Sequence, residues 1–247
     1  MKYSLNLRKS IITNSYTNHN MYKLGILYVD MKAVIFDMDG VLVGTPAYNL
    51  VANNAALEQY GVQLTTEQND HTQNYSSKKR IATYEEIFNI KIDIDIFNSK
   101  YIKTQTELIK EEMLDTKELI QKVFKDIKSR GLKIGLTTSA KKEKVDIITN
   151  SLGIRSYIDG IITSDDLENH KPHPDPYLKT ALKLGVSPNE CIVIEDSIQG
   201  VESAKNAKMM VLGLKTDFYK TNEVKDADHI INNLSEINEF LDKIDNS

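Results

Sequence analysis

The chain has one cysteine, no apolar run long enough to cross a bilayer, no excess of basic charge, and no repeat or low-complexity tract. Each absence narrows the function. A single cysteine, Cys191, cannot close an internal disulfide, so the chain suits a reducing compartment and a cytoplasmic location is expected. Its place in the apolar run CIVIED marks it as a small buried hydrophobe. No membrane partner is expected, because a spanning helix needs about 20 consecutive apolar residues. A net charge of -4, from 31 basic and 35 acidic residues, gives neither the basic patch of a nucleic-acid binder nor an acidic tail. The 247 residues accommodate one large domain, or a core domain with a smaller insert.

Residues 1–30 read differently from the rest. They are polar, carry Lys2, Arg8 and Lys9, and hold no acid before Asp30. They lack the continuous apolar core of a secretory signal, and a single arginine makes a poor organellar leader. The expectation is a disordered extension, with Met31 as a second start site immediately before the fold.

From Met31 onward, short apolar runs alternate with helical stretches. The runs are KAVIFD (32–37), LKIGLTT (132–138), YIDGIIT (157–163), CIVIED (191–196), MVLGLK (210–215) and the weaker DHIIN (228–232). Being apolar throughout, they fit strands buried on both faces of a parallel sheet. Helices are expected near 142–151, 175–185 and 198–206, which makes the core a doubly wound α/β domain.

Between the first two strands lie about ninety residues, far more than one crossover requires. AYNLVANNAALEQYG places apolar residues at Val51, Ala55, Leu57 and Tyr60 and stops at Gly61; KRIATYEEIF, YIKTQTELIKEEML and KELIQKVFKDIKSRG repeat the pattern. The expected division is a core of residues 31–45 and 122–247 with an inserted helical domain at 46–121.

Ligands of open α/β sheets bind beyond the carboxyl ends of the strands, and four strand ends here carry polar residues. In FDMDGVL, Asp37 closes a strand and Asp39 follows two residues later, with Gly40 allowing a tight turn. One carboxylate can attack phosphorus, and a second can protonate the departing alkoxide and then activate water. A calcium loop would need its glycine at the sixth position and flanking helices, and neither is present. In GLTTSA, the Thr138 hydroxyl suits a phosphate oxygen, helped by the Ser139 backbone N–H; capping of the following helix is the competing explanation. In HKPHPDPY, Lys171 in a proline-stiffened loop can neutralise Asp37 and a transferring phosphoryl group, and His170 and His173 read as loop residues. In VIEDSIQG, Glu195 and Asp196 end a buried strand, where carboxylates are costly unless paired or bound to metal. Asp37, Asp196 and the Asp39 carbonyl form a magnesium ligand set, with Glu195 adding a ligand directly or through water. Helix capping by Asp196 or Ser197 is the alternative.

In this order, DMDGVL, TTSA, KPHPDPY and IEDS resemble the haloacid dehalogenase-like hydrolase superfamily, over about residues 32–240. The chain is most similar to its β-phosphoglucomutase and phosphoglycolate-phosphatase branch, in which a helical cap follows the first strand. The resemblance implies a Rossmann-like core, a mobile cap, Mg²⁺ dependence and an aspartyl-phosphate intermediate. It implies Asp37 as nucleophile, Asp39 as general acid/base, Thr138 as the second-motif hydroxyl, Lys171 as the third-motif lysine, and Glu195 with Asp196 as the acidic metal pair. An acid at Asp39 favours phosphoryl transfer over dehalogenation, because a halide leaves without a proton.

Two departures bear on the reaction. Gly44 stands where relatives often carry an aspartate, and Asn49 where sugar-phosphate mutases carry a histidine. The stretch NYSSKKR (74–80) resembles the cap's specificity loop, so Lys78 and Lys79 are either substrate contacts or a solvated helix start. The expected activity is Mg²⁺-dependent hydrolysis of a small phosphorylated metabolite. A sugar phosphomutase and a catalytically silent binding protein are the rivals. The sequence leaves the oligomeric state open, and a monomer is compatible with it.

Overall fold

The computed structural model describes residues 30–72, 75, 77–216 and 224–245. The expected extension at 1–30 lies outside them except for Asp30.

The six expected strands form one parallel sheet: β1 (Ala33–Phe36), β2 (Lys133–Thr137), β3 (Gly160–Ile162), β4 (Cys191–Glu195), β5 (Met210–Leu214) and β6 (His229–Ile231), in the order β3-β2-β1-β4-β5-β6. The third is shorter than its apolar run, because Arg155–Tyr157 winds into a 3₁₀ turn before it. Strand pleating sends alternate residues to opposite faces. Val34 and Phe36 face a cluster with Phe124, Ile127, Ile148 and Ile237. Ala33 and Ile35 face another with Tyr177, Ala181, Val201 and Cys191. A sheet covered on both sides is the reason the strands read as unbroken apolar runs.

The helices are α1 (Thr45–Leu57), α2 (Thr66–Thr72), α3 (Ser77–Phe88), α4 (Ile94–Ser129), α5 (Lys142–Leu152), α6 (Asp175–Leu184), α7 (Ile198–Asn206) and α8 (Glu236–Asp245). The first three and the start of α4 enclose a core of their own, built from Ala56, Leu57, Leu64, Ile81, Tyr84 and Phe97.

The insert differs from expectation in two respects. YIKTQTELIKEEML and KELIQKVFKDIKSRG belong to one helix of 36 residues, begun by the Asp93 side chain accepting from the N–H groups of Asp95 and Ile96. The expected boundary after residue 121 therefore falls inside α4, whose Phe97 end joins the insert's core and whose Ile120–Ile127 end joins the sheet's. In α1, Val51 is 50% exposed, and the buried face belongs to Ala52, Ala56 and Leu57. Small residues there let α1 pack along α4. The stop at Gly61 is as expected, with φ +71 after a short 3₁₀ turn. Among the described residues no helix is long and apolar enough to cross a membrane.

The order 3-2-1-4-5-6 reverses direction beside β1, so its carboxyl end and that of β4 border the switch-point crevice where such sheets bind ligands.

Candidate active site

The β1 strand stops where the Asp37 N–H donates to the Ile194 carbonyl at 3.0 Å. The chain then folds tightly: the Leu42 and Val43 N–H groups both reach the Met38 carbonyl, and Gly40 N–H reaches Val43. Gly40 holds φ +94, and a Cβ there would lie 1.8 Å from Asp196 Oδ2. Only glycine permits both that turn and that approach. Asp37 is thus buried at the strand end, while Asp39, half-exposed, receives a 2.8 Å bond from Lys144 Nζ on α5.

Lys171 enters from the loop before α6. Its ammonium lies 2.5 Å from both Asp37 Oδ1 and Glu195 Oε1 and is almost fully shielded from solvent. Its Nζ also sits 5.0 Å from the centre of the Tyr177 ring, whose hydroxyl donates to Glu195 Oε1 at 2.7 Å. The other Glu195 oxygen accepts from Asp196 N–H, Ser197 N–H and Ser197 Oγ. Both carboxylate oxygens are therefore committed. Glu195 does not line the cavity; buried at 0% exposure, it holds Lys171. Gly200 makes room for it, since a Cβ there would fall 1.8 Å from its carboxylate carbon.

Of the two capping candidates, the cap falls to Ser197. Ser197 caps α7 by accepting from Gly200 N–H, leaving Asp196 free to face the cavity. Thr138 does not cap α5, which starts at Lys142 with Lys141 at its N-cap position. The Thr137 hydroxyl is spent on Thr180 at 2.6 Å, whereas Thr138 Oγ1 accepts from Ala140 N–H at 3.0 Å and keeps a proton to donate.

Asp37, Asp39, Thr138, Ser139, Lys171 and Asp196 line a single cavity of about 720 Å³, and Asn49 reaches it from α1. That volume suits a drug-sized or metabolite-sized ligand. Lys78 and Lys79 do not line it: both are exposed, with Lys79 over the Tyr75 ring at 3.7 Å. The basic residue of that stretch which does line it is Arg80, one position further along. Asn74 and Ser76 lie outside the described residues. Sequence reasoning also missed Lys144 and Tyr177. Lys144 looks like any lysine of a solvated helix, but Tyr177 stands within KPHPDPY and was open to notice.

Charge is unbalanced at this site. Burial, more than any other cause, pushes Asp37 up to about 7 despite the nearby Lys171 ammonium. Burial, with the Glu195 and Asp37 charges, pushes Asp196 up to about 9. Burial opposes the charge on Glu195 as well, but Lys171 outweighs it and the net direction is down. Burial likewise works against the Lys171 charge, and Asp37 and Glu195 together carry it well above its ordinary value. Three buried carboxylates face one ammonium, and Asp196 Oδ2 has no hydrogen-bond partner among the described residues. A hard divalent cation fits this donor set: oxygen ligands, surplus negative charge, and an orphaned carboxylate oxygen beside the turn at Gly40.

A doubly wound sheet with carboxylates, a lysine and a hydroxyl gathered at its switch point defines an α/β enzyme suited to phosphoryl chemistry. Residues 34–214 match the family described as haloacid dehalogenase-like hydrolase, and the chain belongs to that family. The chain is 30% identical over 177 residues to a phosphorylated carbohydrates phosphatase of Thermotoga maritima, covering 72% of this chain and 82% of that protein. It is 30% identical over 186 residues to the fructose-1-phosphate phosphatase of Escherichia coli, covering 74% and 96%. Among solved structures, a putative β-phosphoglucomutase of Thermotoga maritima superposes with TM-score 0.71 at 26% identity, covering 86% of this chain and 99% of that one. The chain is accordingly an enzyme of the phosphohydrolase class.

Proposed function

We propose that the chain hydrolyses a small phosphate monoester, a sugar phosphate or similar metabolite, through an aspartyl phosphate on Asp37. The observation that carries this is the Lys171 ammonium bonded to the Asp37 carboxylate in a cavity also lined by Asp39, Thr138 and Asp196.

In the first transfer, an Asp37 carboxylate oxygen attacks phosphorus and the bond from phosphorus to the substrate oxygen breaks. The departing alkoxide takes the proton of the Asp39 carboxyl. In the second, Asp39 accepts a proton from water as that water attacks the same phosphorus, and inorganic phosphate leaves Asp37. Lys171 and the Thr138 hydroxyl hold charge on the phosphoryl oxygens throughout. Asp37, Asp196 and the Asp39 carbonyl would hold Mg²⁺, which when bound supplies charge neutralisation at the transferring group. Glu195 keeps Lys171 in place. The insert formed by α1–α3 and the start of α4 acts as a cap, excluding bulk water during the first transfer and admitting it for the second.

Asn49 supports hydrolysis over mutase chemistry. Its Oδ1 accepts from Tyr101 and Gln105, and an amide cannot take a proton from a sugar hydroxyl. The names of the two curated relatives point the same way, toward phosphorylated carbohydrates as the substrate class.

Phosphate release from a panel of phosphorylated metabolites, with Mg²⁺ and with chelator, tests the reading. Metal-dependent release from at least one sugar phosphate is expected. Absence of release from all of them, alongside isomerisation of a sugar phosphate primed with its bisphosphate, would replace the phosphatase with a mutase.

The raised carboxylates make a second prediction. Folded-state values of about 7 for Asp37 and about 9 for Asp196 stand above the unfolded value of 3.8. Between about pH 4 and 9 the folded state therefore holds more protons than the unfolded one, and stability falls as pH rises. In chelator, the melting temperature is expected to drop steadily from pH 5 to pH 9. Added Mg²⁺ should restore most at the alkaline end, where proton competition is weakest, by about 2.7 kcal/mol at a hundredfold excess over its dissociation constant. A melting temperature that is flat with pH and unmoved by Mg²⁺ would remove the metal from this site.

A further inference from the structure

The cavity does not end at the reacting groups. From Asp39 it continues as an arm between α4 and α5, lined by Ile102, Thr106 and Ile109 on one side and by Ile147, Ile148 and Ser151 on the other. Each set recurs at three- and four-residue spacing, so each is one face of its helix. Ile109 and Ile148 are buried and make the floor, as members of the cluster that covers the sheet. Ile102 and Ile147 make the walls and are 58% and 39% exposed. A single exposed isoleucine is ordinary on a protein surface. Two that line one cavity over a shared apolar floor mark a ligand site.

Two hydrogen bonds set the ends of the arm. At the near end Lys144, one turn before Ile148 on α5, donates to Asp39 Oδ1 at 2.8 Å. At the far end Gln121 Nε2 donates to the Leu152 carbonyl at 2.7 Å, pinning α4 to α5 beside Ser151. Between Lys144 and Ser151 the helix advances about 10 Å. Gln121 lies in the part of α4 that packs on the sheet, so the arm is held by the core and not by α1–α3.

The position of Asp39 gives the arm its direction. Asp39 is the group that would protonate the departing oxygen, so the alcohol that leaves with that oxygen begins at the arm's mouth. A sugar carries a hydroxyl on nearly every carbon, and four isoleucine side chains offer those hydroxyls no hydrogen-bond partner, which costs affinity. A methylene chain or an aromatic ring strands nothing there and gains from every apolar atom it buries.

We propose that the arm between α4 and α5 is a subsite for an apolar segment, alkyl or aryl, of the leaving alcohol. The inference rests on the phosphatase reading and narrows the preferred substrate to monoesters whose alcohol carries such a segment. A plain sugar phosphate fills only the polar end of the cavity.

Ethyl, butyl and hexyl phosphate test it, because each releases a primary alcohol and they differ only in length. For wild type, kcat/KM is expected to rise roughly 2- to 4-fold per added methylene, the upper figure corresponding to complete burial. Ile102→Ser and Ile147→Ser change positions open to solvent, where a polar side chain is tolerated. Each is expected to flatten the rise, costing hexyl phosphate roughly 5- to 20-fold more than ethyl phosphate. Ile147→Leu should keep it. Ile230→Ser, on the edge strand β6 and outside the cavity, should leave the slope as it is. A kcat/KM that is flat or falls with length, or a rise that neither wall variant moves, would overturn the subsite. Should wild type turn over none of the three, the sugar-phosphate panel decides separately whether the phosphatase reading stands. The arm is then judged by calorimetric binding of the same esters to Asp37→Asn, with and without Ile147→Ser. Affinity that climbs with length and loses its climb in the serine variant sustains the subsite, and any other result refutes it.

Discussion

Asp37→Asn is expected to cut phosphate release by about 10⁴-fold or more, the scale of loss when a nucleophile is removed from an otherwise intact site. The replacement keeps the size of the side chain and its place at the end of β1, and Lys171 retains Glu195 as a partner. What disappears is the oxygen anion able to form a bond to phosphorus. Wild type mixed with labelled substrate and quenched in acid should carry covalent phosphate, and the variant should carry none. Circular dichroism of the variant should match wild type. Release above about one percent of the wild-type rate would exclude Asp37 as the nucleophile, and a different oxygen would have to be sought at the same strand ends.

Lys171→Met is expected to damage both activity and folding. The lysine is the sole ammonium bonded to Asp37 and Glu195 among the described residues, at 2.5 Å from each. Breaking a buried ion pair by removing one partner costs about 3–5 kcal/mol, which for a chain of this size lowers the melting temperature by about 10 °C. Turnover should fall by about 10³-fold, because no other cationic side chain among the described residues bonds to Asp37. The stability loss should depend on pH. At pH 5 the stranded carboxylates can take protons, so the deficit is smaller; at pH 8 they cannot do so cheaply, and it is larger. Melting curves at the two pH values, with and without Mg²⁺, read this directly. A deficit independent of pH would mean that the lysine stem, not its charge, supports the fold.

Much of this molecule was legible before any coordinates. Six apolar runs predicted six strands, because strands buried on both faces have no polar alternation to obscure them. The residues at the ends of four of them predicted one site, since parallel strands deliver their carboxyl ends to the same edge. The interval after β1 was plainly helical from its periodicity and its stop at Gly61.

Other features were decided by contacts between residues distant in the chain. Nothing in the pair Glu195–Asp196 says which carboxylate faces the cavity; strand pleating and the demand of Lys171 and Tyr177 turned Glu195 into the core and left Asp196 lining the cavity. Lys144 meets Asp39 across 105 positions of sequence, on a helix whose lysines all look alike. In NYSSKKR the two lysines and the arginine are equivalent as symbols, and only the rotation of α3 against α4 decides that Arg80 lines the cavity. The amino-acid sequence by itself determined the sheet, the chemistry of the strand ends and the family, because these rest on local periodicity and on residue types at fixed spacing. The tertiary structure alone decided which like-charged neighbour lines the cavity and which one braces Lys171, because that choice depends on the direction each side chain takes once the elements are packed.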